Sequence, residues 1–248
     1  MQKKFVFIFI SFSVVSLAAC GGGGGGGTAP AATNTSQQSS PKHVTILMRG
    51  DSTNFGFDPQ DYPTPPSQTP NNPAVLMQKD MDAAFGAGKV TVINAARSGS
   101  TLSNDINGWG DWPSLQTMLA QYKPNIVLTN SELNDRNTLG DAQYKANLIQ
   151  WIQIVQSSGA RPVLQEPNPT CPNILTTRND QAFVQDMNDV GMQMGVTVAW
   201  NWYSWFSTQD WWVTNLQNDC IHPTDAGYMS KEQNYFKTLQ PIVAGMLN

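Results

Sequence analysis

The stretch His43-Val44-Thr45-Ile46-Leu47-Met48-Arg49-Gly50-Asp51-Ser52 runs from a β-rich apolar segment straight into a glycine turn and a serine. Four more segments have the same apolar character: Lys89–Asn94, Asn125–Thr129 behind Pro124, Arg161–Gln165 and Val196–Trp200. None alternates cleanly between apolar and polar residues, which is the pattern of strands buried on both faces. Between them apolar residues recur at helical spacing, over Ala74–Phe85, Trp112–Tyr122, Asp141–Ser157 with Gly159 as its stop, Gln181–Gly195 and Ala226–Leu247. Strands alternating with helices predict right-handed crossovers and a parallel sheet covered on both sides. In such a sheet, ligands are bound at the carboxyl ends of the strands.

Upstream of His43 the composition changes. Lys3 and Lys4 precede an apolar run, Phe5 to Leu17, too short for a comfortable membrane span but right for a signal-peptide core. Leu17-Ala18-Ala19-Cys20 then resembles the lipobox of bacterial lipoproteins. The reading is a leader over 1–19, a lipid on Cys20 and a membrane anchored through that lipid. Seven glycines, Gly21 to Gly27, and an uncharged tract to Pro41 complete a flexible linker over 20–41. As a coil it spans roughly 25 Å. One domain over 42–248 is expected, in the bacterial cell envelope: at the outer membrane or periplasm in a Gram-negative cell, or extracellular.

Composition closes several doors. The 248 residues hold 14 Lys and Arg against 18 Asp and Glu, with no basic run, so no nucleic-acid partner is expected. Two His and three Cys are too few for a dedicated zinc or iron–sulfur protein, and no metal or cofactor is expected. No HExxH and no Gly-x-Ser-x-Gly occurs. The Gly86-Ala87-Gly88-Lys89 stretch lacks the first glycine of a phosphate loop and precedes a strand instead of following one. A monomer is expected.

Four segments at or near the strand ends stand out: Gly50-Asp51-Ser52, Asn94 to Thr101 around Ser98-Gly99, Glu132-Leu133-Asn134-Asp135, and Asp219-Cys220-Ile221-His222-Pro223. In this order they resemble the SGNH hydrolases, or GDSL esterases, and the resemblance spans nearly the whole domain. It implies an α/β fold, a three-layer αβα sandwich with a central, mostly parallel five-stranded sheet of flavodoxin-like type. It implies ester hydrolysis through an acyl-enzyme.

The chemistry is also legible residue by residue. A serine hydroxyl needs a neighbouring base, and His is the usual one. His43 precedes the first strand, at the wrong end, which leaves His222. Asp219, three residues earlier, can reach back to fix the imidazole tautomer. The triad is therefore Ser52, Asp219 and His222. The resemblance nominates the oxyanion donors: the N–H of Ser52, the N–H of Gly99 and the side-chain amide of Asn134. Glu132 stands where the family pattern has Gly. It is read as a substrate contact or a partner of Arg97, and Asn130 is the fallback for Asn134 if the register shifts. Asp51 is expected to hold the nucleophile turn, and Asp135 to be structural.

Three surrounding features complete the reading. Thr53 to Asn72 is long and Pro-rich, either a wall of the cleft or a surface insertion. Five Trp lie within Trp200–Trp212; Trp200 and one or two others are expected in the core, with Trp205 and Trp211 forming an aromatic wall for substrate. Once Cys20 is lipidated, Cys171 and Cys220 are expected to pair in an envelope protein. The substrate favoured is an acetylated carbohydrate or short-chain ester. A lysophospholipase, thioesterase or acyltransferase using the same triad, and an inactive glycan-binding lipoprotein, are the alternatives.

Overall fold

The computed structural model describes residues 43–174, 180–202, 205 and 210–248. The expected leader, Cys20 and the linker lie outside the described residues, as do Tyr203 and Phe206 of the Trp-rich segment.

Five strands form one sheet: β1 (Val44–Met48), β2 (Val90–Asn94), β3 (Ile126–Thr129), β4 (Arg161–Gln165) and β5 (Thr197–Ala199). Their order is β2-β1-β3-β4-β5, and every pairing is parallel. The order reverses between β1 and β3, so a crevice opens at their carboxyl ends. Met48, the last residue of β1, pairs with Asn94 and Leu128. The turns Gly50–Ser52, Ala95–Gly99 and Asn130–Asn134 thereby leave the sheet side by side.

Among the described residues eight α-helices are placed around it: α1 (Ser52–Phe55), α2 (Pro73–Phe85), α3 (Leu102–Asn107), α4 (Leu115–Tyr122), α5 (Asp141–Ser157), α6 (Asp180–Met194), α7 (Trp211–Asn215) and α8 (Asp225–Leu247). Successive strand residues face opposite sides. Leu47, Val127 and Leu164 pack with Leu102, Leu119, Leu148, Trp151, Val155 and Met187 of α3 to α6. Ile46, Met48, Leu128 and Val163 pack with Met77 and Met81 of α2 and with Tyr235, Leu239 and Val243 of α8. This is the expected three-layer sandwich. Trp151 is fully buried and its indole N–H donates to Asp105 at 3.1 Å. Truncating such a residue to Ala costs about 3–5 kcal/mol.

Where the observed elements differ from the sequence reading, local chemistry explains it. Helix α4 starts at Leu115 and not Trp112, because Ser114 caps it by accepting the Thr117 N–H at 3.3 Å. Helices α1 and α3 have four and six residues, too few to show a periodicity. Trp200 is 66% exposed, against the expectation that it fills core, because β5 ends at Ala199 on the edge of the sheet. Trp202, by contrast, is buried.

Candidate active site

The nucleophile turn is built at the end of β1. Gly50 has φ +117°, and a Cβ there would meet Asn130 Oδ1 at 2.0 Å, so only glycine fits. Its carbonyl accepts the Arg97 N–H at 2.9 Å and the Ser100 hydroxyl at 3.0 Å. Asp51 is fully buried. Its N–H donates to Asn130 Oδ1 at 3.2 Å, and its Oδ1 accepts from the Thr53 N–H (2.9 Å), the Thr53 hydroxyl (3.0 Å) and Asn130 Nδ2 (3.0 Å). Asp51 thus caps α1 and presents Ser52 as its first residue.

The base arrives from the other end of the chain. Asp219 Oδ2 lies 2.6 Å from His222 Nδ1, and His222 Nε2 lies 2.8 Å from Ser52 Oγ. A carboxylate only accepts, so Nδ1 carries the proton and Nε2 accepts from the Ser52 hydroxyl. Burial pushes the Asp219 carboxyl up. Hydrogen bonds from the His222 ring and from the N–H groups of His222 and Ile221 (both 2.9 Å) outweigh it and hold the carboxyl below its ordinary range. The reach back across one turn is made by Cys220, which sits in the left-handed region at φ +62°.

That loop is tied down on both sides. Cys220 is bonded to Cys171, its carbonyl accepts the Cys171 N–H at 3.0 Å, and Asn168 Nδ2 donates to the Ile221 carbonyl at 2.8 Å. The Pro-rich segment after Ser52 folds against the same loop. The Phe57 ring meets the His222 ring edge-on at 4.9 Å, and Tyr228 donates to the Phe57 carbonyl at 2.8 Å. Asp225 at the head of α8 accepts from Thr69 (2.5 Å) and Asn71 (2.7 Å). The segment is therefore a wall on the His222 side.

Of the oxyanion candidates, Gly99 has φ +81° and lies in the turn after β2. Among the described residues, neither the Ser52 N–H nor the Gly99 N–H has a protein acceptor. Asn134 Nδ2 donates one proton to the Ser100 carbonyl at 2.8 Å, which leaves its second proton available. Asn130, the fallback, is excluded: it is fully buried, with both amide protons directed to Asp51 and Thr53. Asp135 accepts the Leu102 N–H at 3.0 Å on each oxygen, and burial raises its carboxyl to about 7.

Three proposed substrate contacts are corrected. Glu132 is fully buried, 3.6 Å from Arg136 Nη1, and Arg136 also pairs with Asp180. Burial pushes the Glu132 carboxyl well up, against the pull of Arg136. Arg97 pairs instead with Asp111 on the surface. Trp205 and Trp211 are 3% and 5% exposed and pack around Cys171 and Leu216, so they line no cleft. These indoles jacket the Cys171–Cys220 disulfide. The aromatic residue at the rim is Trp109, which the sequence reading passed over. It is 45% exposed, stands 3.7 Å from where a Gly99 Cβ would be, and lies under the Arg97 guanidinium at 5.4 Å. Its signal is the Trp109-Gly110-Asp111-Trp112 turn, whose ends bond each other at 3.0 Å. His43 is remote from the site, bonded to the Gly88 carbonyl.

The arrangement can support serine acyl transfer: a serine hydroxyl, an imidazole and a carboxylate stand in one chain of hydrogen bonds, with donors nearby that lack a protein acceptor among the described residues. Among solved structures, the chain is similar to a lipase/acylhydrolase from Enterococcus faecalis (20% identity, TM-score 0.68, covering 80% of this chain and 96% of that one). It is similar to TesA (25% identity, TM-score 0.62, covering 80% and 99%). It is also similar in fold to an acetyl xylan esterase from Geobacillus stearothermophilus (15% identity, TM-score 0.62, covering 80% and 97%). No curated protein sequence matches it. Residues 49–229, which run from the nucleophile turn into the head of α8, match the GDSL-like lipase/acylhydrolase family. With that match over most of its length, the chain belongs to this family and is a serine ester hydrolase of the SGNH type.

Proposed function

We propose that Ser52, His222 and Asp219 carry the ester hydrolysis and that the substrate is a short-chain ester, above all an acetylated carbohydrate of the bacterial cell envelope. The observation that carries the catalytic assignment is the relay of 2.6 and 2.8 Å from Asp219 through His222 to Ser52. Ser52 Oγ attacks the ester carbonyl carbon while its proton passes to His222 Nε2. The oxyanion that forms is held by the N–H groups of Ser52 and Gly99 and by the free Asn134 amide proton. The tetrahedral intermediate collapses, and His222 gives its proton to the departing alkoxide. Water then attacks the acyl-enzyme with His222 as base, which releases the acid and restores the serine. Asp219 holds the imidazole and stabilises its cation throughout.

The carbohydrate preference rests on Trp109. An exposed indole beside an oxyanion donor, flanked by Arg97 and Asp111, offers a stacking face with polar groups for hydroxyls at its edge. The envelope location rests on the leader, the lipidated Cys20 and the linker read from the sequence. Hydrolysis of p-nitrophenyl acetate by the wild-type chain and by Ser52→Ala tests the catalytic reading. A loss on the order of 10⁵–10⁶ in kcat is expected, and equal rates would refute it. Trp109→Ala should raise KM for an acetylated oligosaccharide and leave that for p-nitrophenyl acetate unchanged. Equal effects on both would remove the sugar preference and turn the search to lysophospholipid and thioester substrates. Product analysis with a sugar acceptor separates hydrolysis from acyl transfer.

A further inference from the structure

Lys231 belongs to α8, which packs on one face of the sheet with α2, and its side chain ends beneath the nucleophile. It is fully buried, and Nζ donates to Thr53 Oγ1 at 2.6 Å. The Thr53 hydroxyl donates to Asp51 Oδ1 at 3.0 Å and accepts from Asn130 Nδ2 at 2.7 Å. Asp51 is itself fully buried, and among the described residues its Oδ2 has no hydrogen-bond partner. A carboxylate with one bare oxygen therefore stands next in the chain to Ser52, whose N–H must receive negative charge. Two negative charges this close in a site poor in water repel each other strongly.

An ammonium in such a place needs a reason. A Met or Leu would fill the same space without the cost of desolvating a charge. Thr53 is neutral and repays little of that cost, and the Tyr235 ring at 5.6 Å repays little more. Among the described residues the opposite charge acting on it is Asp51; burial outweighs that attraction and holds the Lys231 ammonium down at about 7. Arg49, the other buried cation at the end of β1, is committed to Asp105 at 2.6 Å.

We propose that Lys231 is a positioning residue for the ester chemistry, its charge balancing the buried Asp51 carboxylate so that the Ser52 N–H can stabilise an oxyanion. The inference rests on the reading of Ser52 as nucleophile. It separates two tasks within one hydrogen-bond network. Asp51 Oδ1 shapes the turn, and the ammonium removes the electrostatic penalty of having a carboxylate there.

A double-mutant cycle with Lys231→Met and Asp51→Asn tests it. Asn at this position can keep the Oδ1 acceptor for Thr53 and Asn130 and puts a neutral NH₂ in place of the unpartnered oxygen, so it removes the charge while the turn keeps its acceptor. With folded content matched by circular dichroism, Lys231→Met should lower kcat for p-nitrophenyl acetate about 30-fold, less than the loss of a direct oxyanion donor. KM should stay within about twofold, because ground-state binding is untouched. Adding Asp51→Asn should restore kcat by at least about tenfold. An unchanged kcat in Lys231→Met, a change confined to KM, or a loss that Asp51→Asn does not repair would each overturn the inference. If Lys231→Met does not fold, Lys231→Gln, which keeps an N–H donor for Thr53, goes through the same cycle with the same criteria. Wild-type turnover that survives Ser52→Ala would overturn the nucleophile reading and this inference with it. Turnover that depends on Ser52, with no coupling in the cycle, would overturn the role of Lys231 alone.

Discussion

Ser52 and His222 meet at 2.8 Å but are brought there by different means. The serine rides on the end of a central strand, above Asp51, Thr53 and Asn130, all fully buried and bonded to one another. The base has no strand beneath it. His222 and Asp219 sit on a loop with side chains 15% and 38% exposed, shaped by a left-handed Cys220 and held by a cross-link and by the Phe57 wall. One half is positioned by desolvated hydrogen bonds that depend on each other. The other is positioned by separate tethers that can be removed one at a time. Buried polar networks can be worth more than the sum of their parts, whereas separate tethers fail singly.

Four experiments press on this difference, in falling order of expected effect. Asp219→Asn should lower kcat about 10⁴-fold while Tm barely moves. The new amide would donate to His222 Nδ1 and turn Nε2 into a donor, the wrong tautomer for accepting the serine proton. A large fall in Tm would show the base loop to be part of the core, and the contrast would fail. Next, replacing both cysteines with Cys171→Ser and Cys220→Ser should cost about 4 kcal/mol in the chain-entropy treatment of the 49-residue separation. That is roughly 10 °C in Tm for a chain of this size. The fall in kcat, measured well below the new Tm, should exceed the effect on Ser52-side contacts.

On the serine side, Gly50→Ala should cost about 3 kcal/mol, because φ is positive and the new methyl collides with Asn130. Stability and kcat should fall together, since displacing Asn130 displaces Asp51. A stable but inactive protein would mean that the network bends without breaking. The smallest effect concerns pH. Asp219 is held below its ordinary value of 3.8, so the hydrogen bonds its carboxylate accepts stabilise the fold above that value, and the contribution is lost as pH falls through the lower, folded value. With Asp219 partly in solvent this is under about 1 kcal/mol. Tm curves for the wild type and Asp219→Asn should converge as the pH is taken from about 6 to about 3.

The sheet, five of its covering helices and the residues proposed as the triad were legible because each leaves a local signature. Val44–Met48 and Ile126–Thr129 are apolar on both faces, and Ser52, Asp219 and His222 lie in short ordered patterns at the strand ends. What sequence could not resolve was which side of the protein shell a residue occupies. Trp205 and Trp109 are the same amino acid, but one jackets a disulfide and the other stands at the rim, and only packing decides. Glu132 in a loop next to candidate chemistry reads as a ligand contact until Arg136 and Asp180 are seen to enclose it. Lys231 carried no signal at all, because a lysine in an amphipathic helix is ordinarily a solvent-facing residue.

The Cys171–Cys220 bond also closes part of the chain into a covalent ring that contains β5, α6 and α7. A protease cut anywhere inside the ring leaves one molecule, with the base still fastened to the body that carries the serine. A cut between Ser52 and Cys171 leaves the two pieces joined by packing alone. Nicked protein should therefore run as one band without reductant and as two with it when the nick falls inside the ring.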